Sequence, residues 1–263
     1  MARLAVLALL AAPALGFQLS STPRPASAPP HRPHTMSEWR RRSSHSQKAE
    51  AARLDAIARA SAEGDVSAIE AEGVARRYGY APQCVTYGEI TPKGFTSLAA
   101  RLRLCQADIF ADLGSGLGRV VLQAAEQFDV AAAVGVEMAP SRHDKAVASL
   151  ASRPALEPRV QLICGDCAAA ELWATGGPLS NLTVAWISST LFSSDLMELL
   201  TQRVEQASSL RVVATLRPFL RCPQGYEEEV PPEPCEMSWT AQLYGGDDIG
   251  TPVHVYVRAL DGS

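Results

Sequence analysis

The residues best suited to hold a ligand are Asp112-Leu113-Gly114-Ser115-Gly116-Leu117-Gly118, which close an apolar run and open a helical one at Arg119. Glycines at this spacing let the backbone turn sharply and approach a ligand where a Cβ would clash. Glu137 ends the next apolar run 19 residues after Gly118, close to the spacing of about 20 at which an acidic side chain holds ribose hydroxyls. Gly165-Asp166 follows a third such run, where a carboxylate can accept from an adenine amino group. Three readings compete for the loop. A dinucleotide site wants G-x-G-x-x-G, but Arg119 follows Gly118 and the third glycine is misplaced by one. A plain turn needs neither Asp112 nor Glu137. A site for S-adenosylmethionine, which lacks phosphate and offers an amino-acid moiety and a ribose, accounts for all of these residues and is the reading they favour.

The elements that must position them follow from periodicity. Residues 108–113, 131–136, 160–164, 184–188 and 210–216 are short, often β-branched and bounded by Gly, Asp or Ser, as strands are. Between them, residues 119–128, 142–152 and 195–207 read as helices. Such alternation predicts an α/β domain with a mostly parallel sheet and helices on both faces. A last strand-like run over 252–260 follows the turn-rich stretches Pro231–Pro234 and Gly245–Gly250, and suits an antiparallel hairpin at the sheet edge.

At 263 residues, 47% hydrophobic and 20% charged, the chain has room for one globular domain with an extension. A net charge of −4 does not mark a nucleic-acid binder, so direct contact with nucleic acid needs a local basic patch. Arg40–Arg42 is the one dense basic run, and a solvated flank is its plainer meaning. The six cysteines are too sparse for a disulfide scaffold. Cys164 and Cys167 have C-x-x-C spacing without a second pair or a nearby His, so no metal site is expected.

Residues 1–16 read as a signal peptide, with an apolar run over Leu4–Leu15 too short to span a bilayer; no transmembrane span is expected. Residues 17–45 form a transit-like or disordered linker rich in Pro and Ser, and residues 46–82 an N-terminal helical segment, with a helix over Ser46–Ala62 and Gly64 as its stop. The main domain covers residues 83–260. Together the leader resembles the bipartite plastid leader of algae; an ordinary secretory leader, or a true start at Met36, are the alternatives. Asn181-Leu182-Thr183 matches a glycosylation acceptor, which has meaning only in a secreted chain.

Tyr87-Gly88-Glu89, the glycine loop with Val120-Val121-Leu122-Gln123, Gly135-Val136-Glu137, Gly165-Asp166, Arg217-Pro218-Phe219, Ser238-Trp239-Thr240 and Tyr256 fall in one order and approximate spacing. In this the chain resembles the disruptor-of-telomeric-silencing family of histone lysine methyltransferases, from about Val85 to Arg258. The resemblance implies a Rossmann-like class I S-adenosylmethionine-dependent methyltransferase, not of the SET type, acting on histone H3 in nucleosomes, and thus a nuclear protein. It implies that Glu89 and Asp112 hold the amino-acid end of the cofactor, Glu137 the ribose and Asp166 the adenine. The resemblance also assigns Tyr87, Gly114, Gly116, Gly118 and Cys167 to the cofactor site. Trp239 and Tyr256 would wall a narrow channel for the target lysine, with Ser188 beside it.

Two departures stand out. The family pattern implies paired asparagines where Ser188-Ser189 stand, and an aromatic where Cys167 stands. Serine is a shorter partner for an amine, and a thiol cannot stack on adenine as a ring does. The acidic run Glu227-Glu228-Glu229 with Glu233 and Glu236 also sits poorly with a polyanionic nucleosome. Two other functions therefore stay open: a methyltransferase acting on a non-histone protein or small molecule in the plastid, and a non-catalytic cofactor-binding protein.

Overall fold

The computed structural model describes residues 62–244 and 250–259, together with Asp55. The leader, the linker, Arg40–Arg42, nearly all of the expected 46–62 helix and most of the 245–250 turn lie outside the described residues. The elements run in the order α1 (Ala68–Tyr78), a 3-10 turn (Pro82–Val85), α2 (Pro92–Arg101), β1 (Ile109–Leu113), α3 (Arg119–Gln127), β2 (Ala132–Glu137), α4 (Pro140–Ala151) and β3 (Val160–Cys164). There follow α5 (Ala170–Trp173), β4 (Val184–Ile187), α6 (Ser194–Gln206), β5 (Val212–Thr215), β6 (Tyr226–Cys235), α7 (Ser238–Tyr244) and β7 (Thr251–Arg258).

Seven strands form one sheet in the order β3-β2-β1-β4-β5-β7-β6. The first five in that order are parallel, and β7 and β6 complete the edge antiparallel. This is the mostly parallel α/β sheet expected from the alternation of strands and helices, and it is the Rossmann-like class I methyltransferase arrangement that the family resemblance implies. Alternation along each strand sends residues to opposite faces. Phe110, Val184 and Trp186 enter one core layer with Phe95, Leu98 and Val121. Ala111, Leu113, Ala185 and Ile187 enter the other with Leu196, Met197 and Leu200.

Local signals set the helix ends. Ser67 accepts from Glu70 N at the start of α1, Thr91 from Gly94 N at α2, and Ser193 from Leu196 N at α6. Each satisfies a backbone donor that the first turn leaves unpaired. Gly79, left-handed at φ 76°, ends α1.

The C-terminal region differs from expectation at one strand. The acidic, Pro-rich stretch read as turns is β6, and it, with β7 inside it, forms the sheet edge. Prolines 231, 232 and 234 lack a backbone donor, which an edge strand tolerates on its open side, and the register breaks between Glu229 and Glu233. The exposed glutamates of this edge oppose pairing with another chain.

Strand order reverses between β1 and β4, so a crevice opens beyond their carboxyl ends, where open α/β sheets take their ligands. The glycine turn leaves β1 at that point. Among the described residues, no helix is long and apolar enough to cross a membrane.

Candidate active site

Gly114, Gly116 and Gly118 adopt φ values of 92°, 53° and 73°, in the left-handed region that side chains avoid. The turn is fastened to the end of β2, since Gly114 N and Ser115 N both donate to Val136 O, at 2.9 and 3.0 Å. At Gly116 the close approach is also steric: a Cβ would lie 2.6 Å from the Tyr87 ring.

Glu137 stands buried behind this turn. Its Oε2 accepts from Gly116 N and its Oε1 from Ala139 N, both at 2.8 Å. An ionised carboxylate has about four acceptor positions, so roughly two remain for ribose hydroxyls. Arg142 Nη1 lies 3.6 Å from Oε1.

Asp112, the last residue but one of β1, lies in register with Gly135 and Trp186 and is 3% exposed. Its Oδ1 is buried without a hydrogen-bond partner. Burial, and then the nearby charges of Glu137 and Glu89, hold its carboxyl well above the usual range. A cation placed there would reverse this balance.

Glu89 is the third carboxylate. Tyr87 Oη donates to its Oε2 at 2.6 Å, and Arg119 donates to its Oε1. The motif Ser238-Trp239-Thr240, 149 residues downstream, meets Tyr87-Gly88-Glu89 directly: Glu89 N donates to Ser238 Oγ at 3.2 Å, and Ser238 N to Glu89 O at 2.8 Å. The Trp239 ring lies over Gly88, where a Cβ would come within 2.6 Å of it, and Trp239 Nε1 donates to Thr251 Oγ1.

Asp166 is already engaged. Its Oδ1 accepts from Ala168 N and its Oδ2 from Tyr80 Oη, each at 2.8 Å, so an adenine amine would have to share these oxygens. Cys167 is buried against the cleft, and burial, followed by the Asp166 charge, pushes its thiol pKa up. A neutral thiol there is a small apolar contact and not a nucleophile.

The cleft has two adjoining lobes. The inner one, under the glycine turn, is bordered by Asp112, Glu137, Glu89, Arg119, Arg142 and Cys167 and holds about 50 Å³. The outer one holds about 270 Å³ between Thr86, Gly88, Ser188, Leu191, Phe192 and Trp239. Tyr87 and Ser188 border both. Arg217 fixes the loop that carries Phe192: it donates to Phe192 O, to Ser194 Oγ at 3.0 Å and, through its backbone N, to Ser189 Oγ at 2.9 Å.

Most of the sequence-predicted residues thus converge, but Tyr256 does not border either lobe. It is buried in the core beside Phe219, ring centroids 5.1 Å apart, because its position on β7 faces it into the layer beneath the sheet. His254, on the same strand, pairs with Glu228 on the surface. Sequence reasoning missed Arg142, Tyr80 and Phe192. Nothing in their spacing separates them from an ordinary helix arginine or core aromatics. Among the described residues there is no cluster of metal-ligating side chains.

The orphaned acceptor on Asp112 fits the α-ammonium of S-adenosylmethionine, and the spare lone pairs of Glu137 fit its ribose. The sequence profile of the family described as "Histone methylation protein DOT1" matches residues 70–156, which hold the glycine turn and all three carboxylates. None of the curated proteins matches the chain by sequence. Among solved structures, the chain is similar to an RNA methyltransferase from Salinibacter ruber in complex with S-adenosyl-L-homocysteine, at 18% identity and a TM-score of 0.42, covering 64% of this chain and 92% of that one. It is also similar to a methyltransferase from Geobacter sulfurreducens, at 14% identity and a TM-score of 0.48, covering 72% of this chain and 86% of that one. A third, an S-adenosylmethionine-dependent methyltransferase from the same organism, is 24% identical with a TM-score of 0.36, covering 55% and 52%. The fold is that of class I S-adenosylmethionine-dependent methyltransferases, and residues 70–156 match the profile of the DOT1 family of histone methylation proteins.

Proposed function

We propose that this chain methylates the side-chain amine of a lysine in a protein substrate. The observation that carries this reading is the outer lobe: a space of about 270 Å³ walled by Trp239, Phe192 and Leu191, which joins the carboxylate-lined inner lobe at Tyr87 and Ser188. An unbranched alkyl amine fits such a wall, and the DOT1 match supplies protein methylation as the reaction class.

S-adenosylmethionine supplies a methyl carbon activated by its sulfonium, so the chain's residues need mainly to orient and to desolvate. Under this reading Asp112 and Glu89, which border the inner lobe, would hold the α-amino group, and Glu137 the ribose hydroxyls. The apolar wall of the outer lobe disfavours a charged lysine and lowers its pKa, leaving the neutral amine that in-line attack requires. Ser188, at the junction of the lobes, can accept a hydrogen bond from that amine. Incubation with labelled cofactor and either nucleosomes or free histones tests the reading. The expected result is label on lysine; label on no protein lysine, with cofactor bound, overturns it.

A second reading concerns the substrate's identity. The acidic edge strand β6, with Glu227 and Glu228 exposed, repels a polyanion, and the leader points to the plastid or secretory route instead of the nucleus. A non-histone protein or a small molecule of that compartment is the acceptor under this reading. A fluorescent fusion retaining residues 1–46 separates the two, because plastid fluorescence removes chromatin as the substrate.

A further inference from the structure

Among the residues that border the inner lobe of about 50 Å³ is one side chain that no motif includes. Arg142 lies in the first turn of α4, 4% exposed, and four groups surround its guanidinium. Its Nε donates to Gly64 O at 2.6 Å and its Nη2 to Val85 O, so it ties together two points of the segment before β1 that are 21 residues apart in sequence. Its plane lies over the Tyr87 ring, 4.9 Å from the centroid, and its Nη1 lies 3.6 Å from Glu137. Tyr87 in turn covers Gly116 and donates to Glu89.

Through Arg142, therefore, the ribose-facing carboxylate and the cover over the glycine turn are one unit. Glu137 keeps its orientation from Gly116 N and Ala139 N on one side and this cation on the other. Lysine in place of arginine could not reproduce it, since an ammonium has neither the planar face for Tyr87 nor the fork that reaches Gly64 O and Val85 O together. Two outer contacts brace the same segment: Lys145 donates to Glu63 O at 2.6 Å, and Arg119 pairs with the Glu63 carboxylate at 2.7 Å.

We infer that Arg142 is a positioning residue for the cofactor: it aligns Glu137 and docks residues 63–87, with Tyr87, over the glycine turn, and so sets cofactor affinity. This rests on the methyltransferase reading, but its test needs no methyl acceptor. Calorimetric titration with S-adenosylmethionine is run on the wild-type chain, Arg142→Met and Arg142→Lys, after thermal melts have established that each variant folds. Loss of charged hydrogen bonds of this kind weakens binding by roughly 10- to 100-fold in Arg142→Met, with Arg142→Lys between it and wild type. Once an acceptor is in hand, the expected signature is a raised KM for the cofactor with kcat at saturation largely kept. Wild-type affinity in a folded Arg142→Lys and Arg142→Met overturns the inference. If Arg142→Met does not fold, Arg142→Lys alone decides: weakened binding supports the role and unchanged binding sinks it. A wild-type chain that fails to bind the cofactor sinks the methyltransferase reading itself, and with it this one.

Discussion

The two lobes of the cleft are built from different materials. Around the inner lobe every carboxylate but one is anchored by polar partners: Glu137 by two backbone amides, Glu89 by Tyr87 and Arg119. The exception, Asp112, carries the orphaned oxygen. Around the outer lobe, apolar and aromatic side chains dominate, with hydroxyls from Thr86, Ser188 and Thr190 among them. The two lobes share residues of the 84–88 segment with Ser188 and Phe192; the inner adds the ends of β1 and β2 and their loops, the outer Thr190, Leu191 and Trp239. The carboxylates that mark the inner lobe lie in one stretch of chain, residues 89–137. The space for an acceptor exists only where distant segments meet.

That contrast breaks first at Asp112. Asp112→Asn removes the negative charge offered to the α-ammonium and lowers cofactor affinity by roughly 10- to 100-fold, measured by calorimetry. The same substitution has an opposite effect without cofactor. Burial and two neighbouring carboxylates raise the folded pKa of Asp112, so the folded chain keeps a proton that the unfolded chain has released. Stability of the cofactor-free protein therefore falls as pH rises from the ordinary carboxylate value of 3.8 toward the raised one, and is highest below it. Asp112→Asn removes that slope, and denaturant midpoints across about pH 4 to pH 8 will show whether it does. A slope that survives the substitution belongs to other groups.

The outer lobe is sharpened by Trp239. Trp239→Ala opens one wall and is expected to cut kcat/KM for the acceptor by about tenfold while cofactor affinity stays within about twofold, as loss of an aromatic contact worth about 1–1.5 kcal/mol would do. Equal losses in both would show that the lobes are not separable. Gly88→Ala probes the same wall from the other side. Its Cβ would lie 2.6 Å from the Trp239 ring, so the ring must shift, and the acceptor KM should rise about three- to tenfold by steady-state kinetics, for a strain of about 1 kcal/mol. The smallest effect is expected at the acidic edge. Glu228→Gln breaks a partly exposed pair with His254 and should move stability by less than about 1 kcal/mol and leave cofactor binding unchanged.

Much of this was legible in the sequence because its signals are local. The glycine turn announces itself through residue types that only a left-handed backbone favours, and the strands β1 to β5 through short β-branched runs. Asp112 and Glu137 follow at fixed spacing because each lies at or next to the last residue of one of two neighbouring strands. The strand β6 was illegible for the opposite reason: its prolines and glutamates read as turn until the sheet places them on an open edge, where a missing N–H costs nothing. Tyr256 shows the same limit from the other side. Its motif position suggested the channel, whereas the pleat of β7 decided which way the ring faces.

What the sequence by itself determined, then, was the order of elements, the turn and the carboxylates at the strand ends, because these depend on spacing along one chain and on backbone geometry. What only the tertiary structure decided was which side chains surround them. Arg142 reaching Gly64, Val85, Tyr87 and Glu137, and Ser238 meeting Glu89 across 149 residues, are contacts between segments whose separation in sequence carries no periodic signal. They arise from packing, which selects by shape and charge after the chain has folded back on itself.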